Sequence, residues 1–399
     1  MKKNFYYFLL LFPLIDFVTS IGAWNNFTSL GTIIKGGLLL CSSIYLILHS
    51  KNKKETYIIF STIILYSLLH IICVGTEGIT SLIKIFYFPI MLYFFYMYNN
   101  RYINRRIYYR YLILFSILYL LPYPFNLGHN ISELYPNKDL YLSFFYVGNE
   151  IVNIFILLIP LSIEYIRPKK TIYLICTILL IILISTILTT KAFYLALLII
   201  IIYFICKYRE NIFKSLKRHL KLTILSIITM IIAACLIIPK ISLYKNIETS
   251  LSYYGLDTIE EVFTFDTLNH IVFSNRLSFL DNNHNEFIKS SIKEKLFGLK
   301  HIEKDVEIDI FDIFYNTGIT GIIVYVILFI VIMRTIKLKN TPKFSMILLL
   351  FISLFSGHVL LSPMVTTYLA LLSGINKGAV KDEILDQESI KTHQISFDD

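Results

Sequence analysis

The sequence has few charged residues: they make up 16% of its 399 positions, whereas soluble domains contain about a quarter. Hydrophobic residues account for 56% and aromatic residues for 15%. This balance excludes an ordinary soluble domain and indicates a polytopic membrane protein. The net charge of +10 does not predict nucleic-acid binding, because the basic residues lie in short runs between apolar segments.

The sequence has few cysteines, and their spacing predicts neither a disulfide framework nor a metal site. The dinucleotide-binding motif GxGxxG, the P-loop, the zinc motif HExxH and the nucleophile elbow of hydrolases are missing from the sequence. ATP hydrolysis and soluble-type redox chemistry are therefore poorly supported. We expect no metal and no cofactor. The five cysteines are Cys41, Cys73, Cys176, Cys206 and Cys235.

Long apolar runs, of roughly 17–25 residues each, predict an all-α polytopic membrane protein with about twelve transmembrane helices. Basic residues follow every second run, as at 51–54 and 101–110, while intervening connections such as 23–29 and 74–80 are nearly free of them. The positive-inside rule then predicts a multi-pass membrane protein with both termini cytoplasmic. The predicted spans are 5–21, 29–49, 56–74, 80–98, 111–128, 147–165, 170–189, 191–206, 220–243, 312–333, 344–361 and 363–376.

The chain is predicted to form a single polytopic transmembrane domain, 1–376, and a flexible cytoplasmic C-terminal tail, 377–399. One large extracytoplasmic loop, 244–311, separates helices 9 and 10 of this scheme. Connections of that length are usually functional or disordered. The loop is therefore a candidate part of a site.

Several ionisable residues occur within the predicted spans, and all of them fall in the outer half of the bilayer. Each one alone is equally well explained as a snorkelling or paired side chain. Their restriction to one leaflet favours a shared polar cavity that faces outward. They are Asp16, Lys35, Lys84, Glu150, Lys191 and His358.

The junction between the loop and the tenth predicted span carries three carboxylates, Glu307, Asp309 and Asp312. Acids at a membrane entrance are costly to hold there, so they usually have a task or a partner. Helical spacing would place Asp305, Asp309, Asp312 and Asn316 on one face. The alternative is a solvated amphipathic start with an acidic helix N-terminus, which the helix dipole favours.

Arg276 lies in the loop among apolar and small residues. Its forked, always charged guanidinium suits a phosphate or diphosphate group. The alternative for this residue is a structural ion pair within the loop.

Several motifs follow one another along the chain. Asn149-Glu150 and Lys191 each open a span, Ser274-Asn-Arg276 and Leu296-Phe-Gly298 lie in the loop, and Gly318-Ile-Thr-Gly321 follows it. In this order they resemble the O-antigen ligase and capsular polysaccharide polymerase family of bacterial inner-membrane proteins, in a Gram-positive-type variant. Counted back from the two glycines, Glu307 occupies the position at which the family usually has His.

The resemblance implies a GT-C-like fold and an inverting, metal-independent glycosyltransferase. Such an enzyme transfers a glycan from undecaprenyl diphosphate to an acceptor at the outer face of the cytoplasmic membrane. The implied context is capsular or O-antigen-like surface polysaccharide. The implied partners are a lipid-linked oligosaccharide donor, a glycan acceptor, the lipid bilayer and other polysaccharide-assembly membrane proteins, without nucleic acid.

On this hypothesis a carboxylate deprotonates the acceptor, and cationic side chains neutralise the diphosphate. Glu307 is the first choice for the base, with Asp309 the second and Asp312 beside them. Polymerase and ligase both remain open, and the alternative of another class is a transporter or flippase of lipid-linked oligosaccharides. The predicted substrate-binding residues are Arg276, Lys191, Lys35, Lys84, Glu150 and His358.

Overall fold

The computed structural model describes residues 2–27, 30–98, 102–130, 141–169, 171–188, 190–210, 276–302 and 304–375. This part of the chain is mostly helical, as predicted. A small antiparallel pair of strands, β1 (His129–Asn130) and β2 (Tyr141–Ser143), was not predicted. The predicted span 220–243, the tail 377–399 and the first part of the loop 244–311 lie outside the described residues.

The helices of the first part are α1 (Lys2–Leu10), α2 (Phe12–Trp24), α3 (Leu30–His49), α4 (Lys53–Val74), α5 (Ile79–Tyr98) and α6 (Arg105–Leu120). They are followed by α7 (Gly148–Ile166), α8 (Thr171–Ile187), α9 (Lys191–Lys207), α10 (Arg276–Lys289) and α11 (Ile292–Phe297). The last helices are α12 (Asp309–Ile336), α13 (Asn340–Ile352), α14 (Pro363–Ala370) and α15 (Leu372–Ile375).

Six helical segments among the described residues are long and apolar enough to cross a membrane. Their mean hydropathy and length fit the thickness of a bilayer core. The protein is therefore a multi-pass membrane protein, while the count of twelve spans stays a prediction. The six segments are Lys2–Trp24, Leu30–His49, Lys53–Val74, Ile79–Tyr98, Gly148–Ile166 and Asp309–Ile336.

The predicted bounds of two spans are wrong. The span predicted at 111–128 is α6, which begins at Arg105 because the Asn104 side chain accepts a hydrogen bond from the backbone N–H of Arg106 at 3.0 Å. It ends at Leu120, just before Pro122, a residue that disfavours continuation of a helix. The span predicted at 344–361 is α13, which ends at Ile352.

Helices α5 and α7 lie at the centre of the bundle. In the most apolar 18-residue stretch of each helix, 67% of the residues of α5 and 72% of those of α7 are buried, whereas 33% are buried in α4. Helix α7 packs against α6, α9, α13 and α14, and α5 packs against α3, α12, α14 and α15. The outer helices leave apolar side chains such as Ile72 exposed, as suits contact with lipid.

The bundle has two polar ends. At the first, here called the basic end, Glu164 at the end of α7 pairs with Arg105 at 3.6 Å and with Lys207 at 2.7 Å. Thr335, near the end of α12, donates to Glu55 at the start of α4 at the same end. The opposite end, here called the site end, holds the start of α7, the start of α12 and the connection from α13 to α14.

Candidate functional site at the site end

Arg276 and Glu307 form an ion pair. The Nη2 atom of Arg276 lies 3.0 Å from Oε2 of Glu307, and Nη1 donates a hydrogen bond to the backbone carbonyl of Phe355. The Arg276 side chain is only 10% exposed. The structure thus brings together two residues that the sequence analysis placed in one site. It also gives Arg276 an ion-pair partner, as the alternative interpretation of this residue expected.

Glu307 has an unusual backbone conformation, with φ at 61° in the left-handed region. Its side chain is 29% exposed, and Oε1 makes no hydrogen bond to the described residues. Gly357 lies against the Glu307 backbone so closely that any Cβ at Gly357 would clash with it. The position of this carboxylate therefore depends on a glycine in a different connection.

Asp309 is buried and bonded by both oxygens. Its Oδ1 accepts from the backbone N–H of His358 at 2.9 Å, and its Oδ2 accepts from Val359 at 3.0 Å and Leu360 at 2.8 Å. Three donors on one carboxylate hold the connection from α13 to α14 in place. We infer that Asp309 is a positioning residue.

Asp312 also binds backbone, since its Oδ1 accepts from the N–H of Val306 at 2.7 Å. Asp305 precedes the helix, which begins at Asp309. The prediction that four polar residues from Asp305 to Asn316 share one helical face is therefore wrong for Asp305. The chain around Glu307 is fixed by these two buried carboxylates.

Glu150 adjoins the same connection, and His358 lies within it. The hydroxyl of Ser362 donates to Oε1 of Glu150, and the Asn153 side chain donates to the carbonyl of Gly357 at 3.4 Å. Sequence reasoning missed Asn153, although it follows Glu150 by three residues and so lies on the same helical face. It also missed Ser362 as the partner of Glu150.

The turn at Leu296–Gly298 packs against a break in α12. Gly318 has φ 67° and ψ −173°, a region open in practice to glycine alone, and its Cα adjoins the backbone of Leu296 and Gly298. His70 donates from Nδ1 to the carbonyl of Phe297 at 2.6 Å, and the Tyr66 hydroxyl donates to the carbonyl of Thr317 at 2.6 Å. The motifs Leu296-Phe-Gly298 and Gly318-Ile-Thr-Gly321 thus allow this turn and α12 to pack closely.

Helix α11, which carries this turn, begins with a capping box. The backbone N–H and the hydroxyl of Ser291 both donate to Glu294. These bonds, the backbone one first, lower the pKa of the Glu294 carboxyl. The box fixes the start of a helix of only six residues.

The predicted lysines differ in their surroundings. Lys35 is buried and forms an ion pair with Asp16, whose Oδ2 also accepts from the Tyr368 hydroxyl at 2.7 Å. Lys84 is exposed on α5, and it makes no ion pair or hydrogen bond within the described residues. Lys191 begins α9 and is exposed. Their role at a diphosphate stays a prediction.

Three buried polar atoms near Glu307 have no hydrogen-bond partner among the described residues: Nε of Arg276, Oδ1 of Asn153 and Oγ of Ser356. Such groups are rare in folded proteins. They make the surroundings of the ion pair suited to a polar ligand. No group of three His, Cys, Asp or Glu side chains in the described part is arranged to hold a metal ion.

The helices and this polar cluster define a multi-pass membrane protein with a site at one end of its bundle. Residues 257–376 match the family model described as O-antigen ligase like membrane protein. This confirms the resemblance found in the sequence, and these residues form an O-antigen ligase-like membrane protein domain. The family match supports a role in membrane glycan assembly and suggests a glycosyltransferase-type enzyme that uses lipid-linked glycans. The matched range contains Arg276, Glu307, Asp309, Asp312 and His358.

The other predicted site residues, Lys35, Lys84, Glu150 and Lys191, precede the matched part. Comparison with curated proteins and with solved structures gives no match.

Proposed function

We propose that this protein is an inverting, metal-independent glycosyltransferase. It polymerises or ligates undecaprenyl-diphosphate-linked oligosaccharide repeats at the outer face of the cytoplasmic membrane, in the assembly of a capsular or O-antigen-like polysaccharide. The observation that carries the proposal is the Arg276–Glu307 ion pair, which lies inside the O-antigen ligase-like domain. The site end faces outward on this proposal, and the basic end faces the cytoplasm.

Glu307 is the proposed general base. Asp309 and Asp312 accept backbone hydrogen bonds, whereas Glu307 is partly exposed and keeps Oε1 unbonded to described residues. This oxygen takes the proton of the acceptor hydroxyl as that hydroxyl attacks the anomeric carbon. The bond from the anomeric carbon to the diphosphate oxygen breaks, and its electron pair leaves with the lipid diphosphate. A single displacement inverts the anomeric centre.

Arg276 is the proposed contact for the diphosphate. The Phe355 carbonyl anchors one guanidinium nitrogen and Glu307 binds another, while Nε has no partner among the described residues. A guanidinium held in this way is already oriented, so it loses little freedom when it binds a phosphate oxygen. It stabilises the negative charge that grows on the leaving diphosphate. Lys84 and Lys191 are proposed to add positive charge nearby.

The test is glycan elongation by the purified protein supplied with lipid-linked repeats. We expect a ladder of longer glycans from the natural sequence and none from Arg276→Ala. The matched control is Lys289→Ala, which removes an exposed cation at the other end of α10 and should leave the ladder intact. A full ladder from Arg276→Ala would reject the proposed role of Arg276.

The same material distinguishes the transporter alternative. A flippase moves lipid-linked oligosaccharide across proteoliposomes without forming a new glycosidic bond. Translocation without any ladder from the natural sequence would reject the transferase.

A further inference from the structure

A cavity of about 310 Å³ lies at the basic end of the bundle, away from the proposed transferase site. Its volume is near the lower bound for small-molecule sites, about 300 Å³. It is formed where α6, the end of α7 and the start of α8 meet. The residues that line it are Arg106, Tyr109, Arg110, Tyr165, Ile166, Lys169 and Tyr173.

The cavity is positively charged, and no acidic residue of the described part lines it. Arg110 donates to the Tyr6 hydroxyl at 2.5 Å, and Lys169 donates to the Tyr165 hydroxyl at 2.7 Å. These phenols orient the cations but do not neutralise them. Glu164, beside the cavity in sequence, is already paired with two other cations at the basic end.

The positive-inside rule accounts for a net excess of basic residues at this end. It does not account for three cations, two from α6 and one from the connection of α7 and α8, that line one cavity and alternate with tyrosines. Tyrosines at that level are typical of the membrane–water interface. The chemistry of the cavity, forked donors and an ammonium beside phenols, fits a phosphodiester group.

Apolar side chains continue from the cavity along α8. Ile172, Ile175 and Leu179 are 57%, 47% and 59% exposed, and their spacing places them on one helical face. This strip starts beside Tyr173, which lines the cavity. A molecule with a phosphodiester at the cavity and a hydrocarbon chain along α8 would satisfy both surfaces.

We infer that the cavity lined by Arg106, Arg110 and Lys169 binds the headgroup of an anionic phospholipid, whose acyl chain follows the exposed face of α8. Basic pockets between membrane helices are known to hold such headgroups. The lipid would join α6, α7 and α8 at the basic end. This inference does not depend on the proposed transferase activity.

The test is retention of added lipid by the purified full-length protein in detergent, measured by native mass spectrometry. We expect phosphatidylglycerol to bind in preference to phosphatidylcholine. The triple variant Arg106→Gln, Arg110→Gln, Lys169→Gln should weaken phosphatidylglycerol binding by roughly a hundredfold, about fivefold for each charge removed. Arg110→Lys alone keeps the charge and should bind within a fewfold of the natural sequence.

The matched control is Lys51→Gln, Lys53→Gln, Lys54→Gln, which removes three exposed cations at the same end, one from the connection of α3 and α4 and two from the first turn of α4. We expect it to bind phosphatidylglycerol normally. Equal loss in the control, equal binding of phosphatidylcholine, or full retention by the cavity variant would overturn the inference. Inorganic phosphate is tested as a third ligand. If it displaced the lipid completely at equal concentration, the cavity would be a site for small anions and not for a lipid, which would also overturn the inference.

Helical content and elution as a single species show that each variant is folded. These readouts and the lipid-binding measurement require no turnover. Failure of the glycan ladder and failure of lipid binding are therefore separate outcomes.

Discussion

The Oδ2 atom of Asp309 lies 2.8 Å from the backbone N of Leu360, so the first residue of α12 binds the chain 51 positions further on. Through this bond and its neighbours, one carboxylate fixes the connection that also supplies the Phe355 carbonyl to Arg276. The geometry of the ion pair thus rests on Asp309.

Asp309→Asn tests this positioning role. The amide offers one acceptor oxygen where the carboxylate offered two, so either the N–H of His358 or those of Val359 and Leu360 lose their partner. We expect a loss of about 1–3 kcal/mol of stability for each donor left unsatisfied. The measurement is the fraction of monodisperse protein left after heating in detergent. Asp305→Asn, at an exposed position, is the control. Unchanged stability together with lost elongation would instead make Asp309 a catalytic residue.

Glu307→Gln tests the general base. The amide keeps the size of the side chain and accepts from Arg276, but it cannot take the proton of the acceptor. We expect kcat for elongation to fall by about 10²–10⁴ with KM for the lipid-linked donor nearly unchanged. Glu286→Gln, an exposed position on α10, should behave as the natural sequence. Normal elongation by Glu307→Gln would move the base to another residue.

Gly318→Ala tests the break in α12. The new Cβ would lie 2.5 Å from the carbonyl carbon of Leu296 and 2.6 Å from the backbone N of Gly298, in a backbone conformation that costs about 1–3 kcal/mol by itself. We expect lower thermal stability and weaker elongation. Gly36→Ala is the matched control, because a Cβ there meets nothing within 4 Å. A stable, active Gly318→Ala protein would show that the close approach is dispensable.

Variants of the Asp16–Lys35 pair test whether Lys35 has a structural or a substrate-binding role. Lys35→Met leaves Asp16 buried without its cation, which should cost about 3–5 kcal/mol. Asp16→Leu together with Lys35→Met should cost less, about 1–3 kcal/mol, because it leaves only the Tyr368 hydroxyl without its acceptor. Thermal unfolding of both single variants and the double variant gives the coupling. If Lys35→Met kept full stability but raised KM for the lipid-linked donor, Lys35 would be a diphosphate ligand.

The positions of most helices could be predicted from the sequence, because apolar runs of bilayer length rarely occur outside membrane spans. The span predicted at 344–361 was wrong at its end, where α13 stops at Ile352. Ser356, Gly357 and His358 leave the helix there, and His358 adopts φ 65° because its N–H turns toward Asp309. That partner lies far away in sequence, so no local pattern reveals it.

The candidate site shows the same limit. Charge and motif order placed Arg276 and Glu307 in one region, and the structure joins them. The sequence could not rank the three acids by their partners, because those of Asp309 lie on a connection that was expected to be helical. Nor could it show that Lys35 pairs with Asp16, since any of several outer carboxylates was a possible partner.

The hydrogen bonds of Asp309 also imply an order in which parts of the site form during synthesis of the chain. A chain that emerges from the ribosome in sequence order presents this carboxylate well before the amides of residues 358–360 exist. Until then the acid has no buried partners and is best solvated by water. We therefore expect the start of α12, at the site end, to reach its final position only after the last helices have been made, so that completion of the C-terminal part completes the assembly of the site.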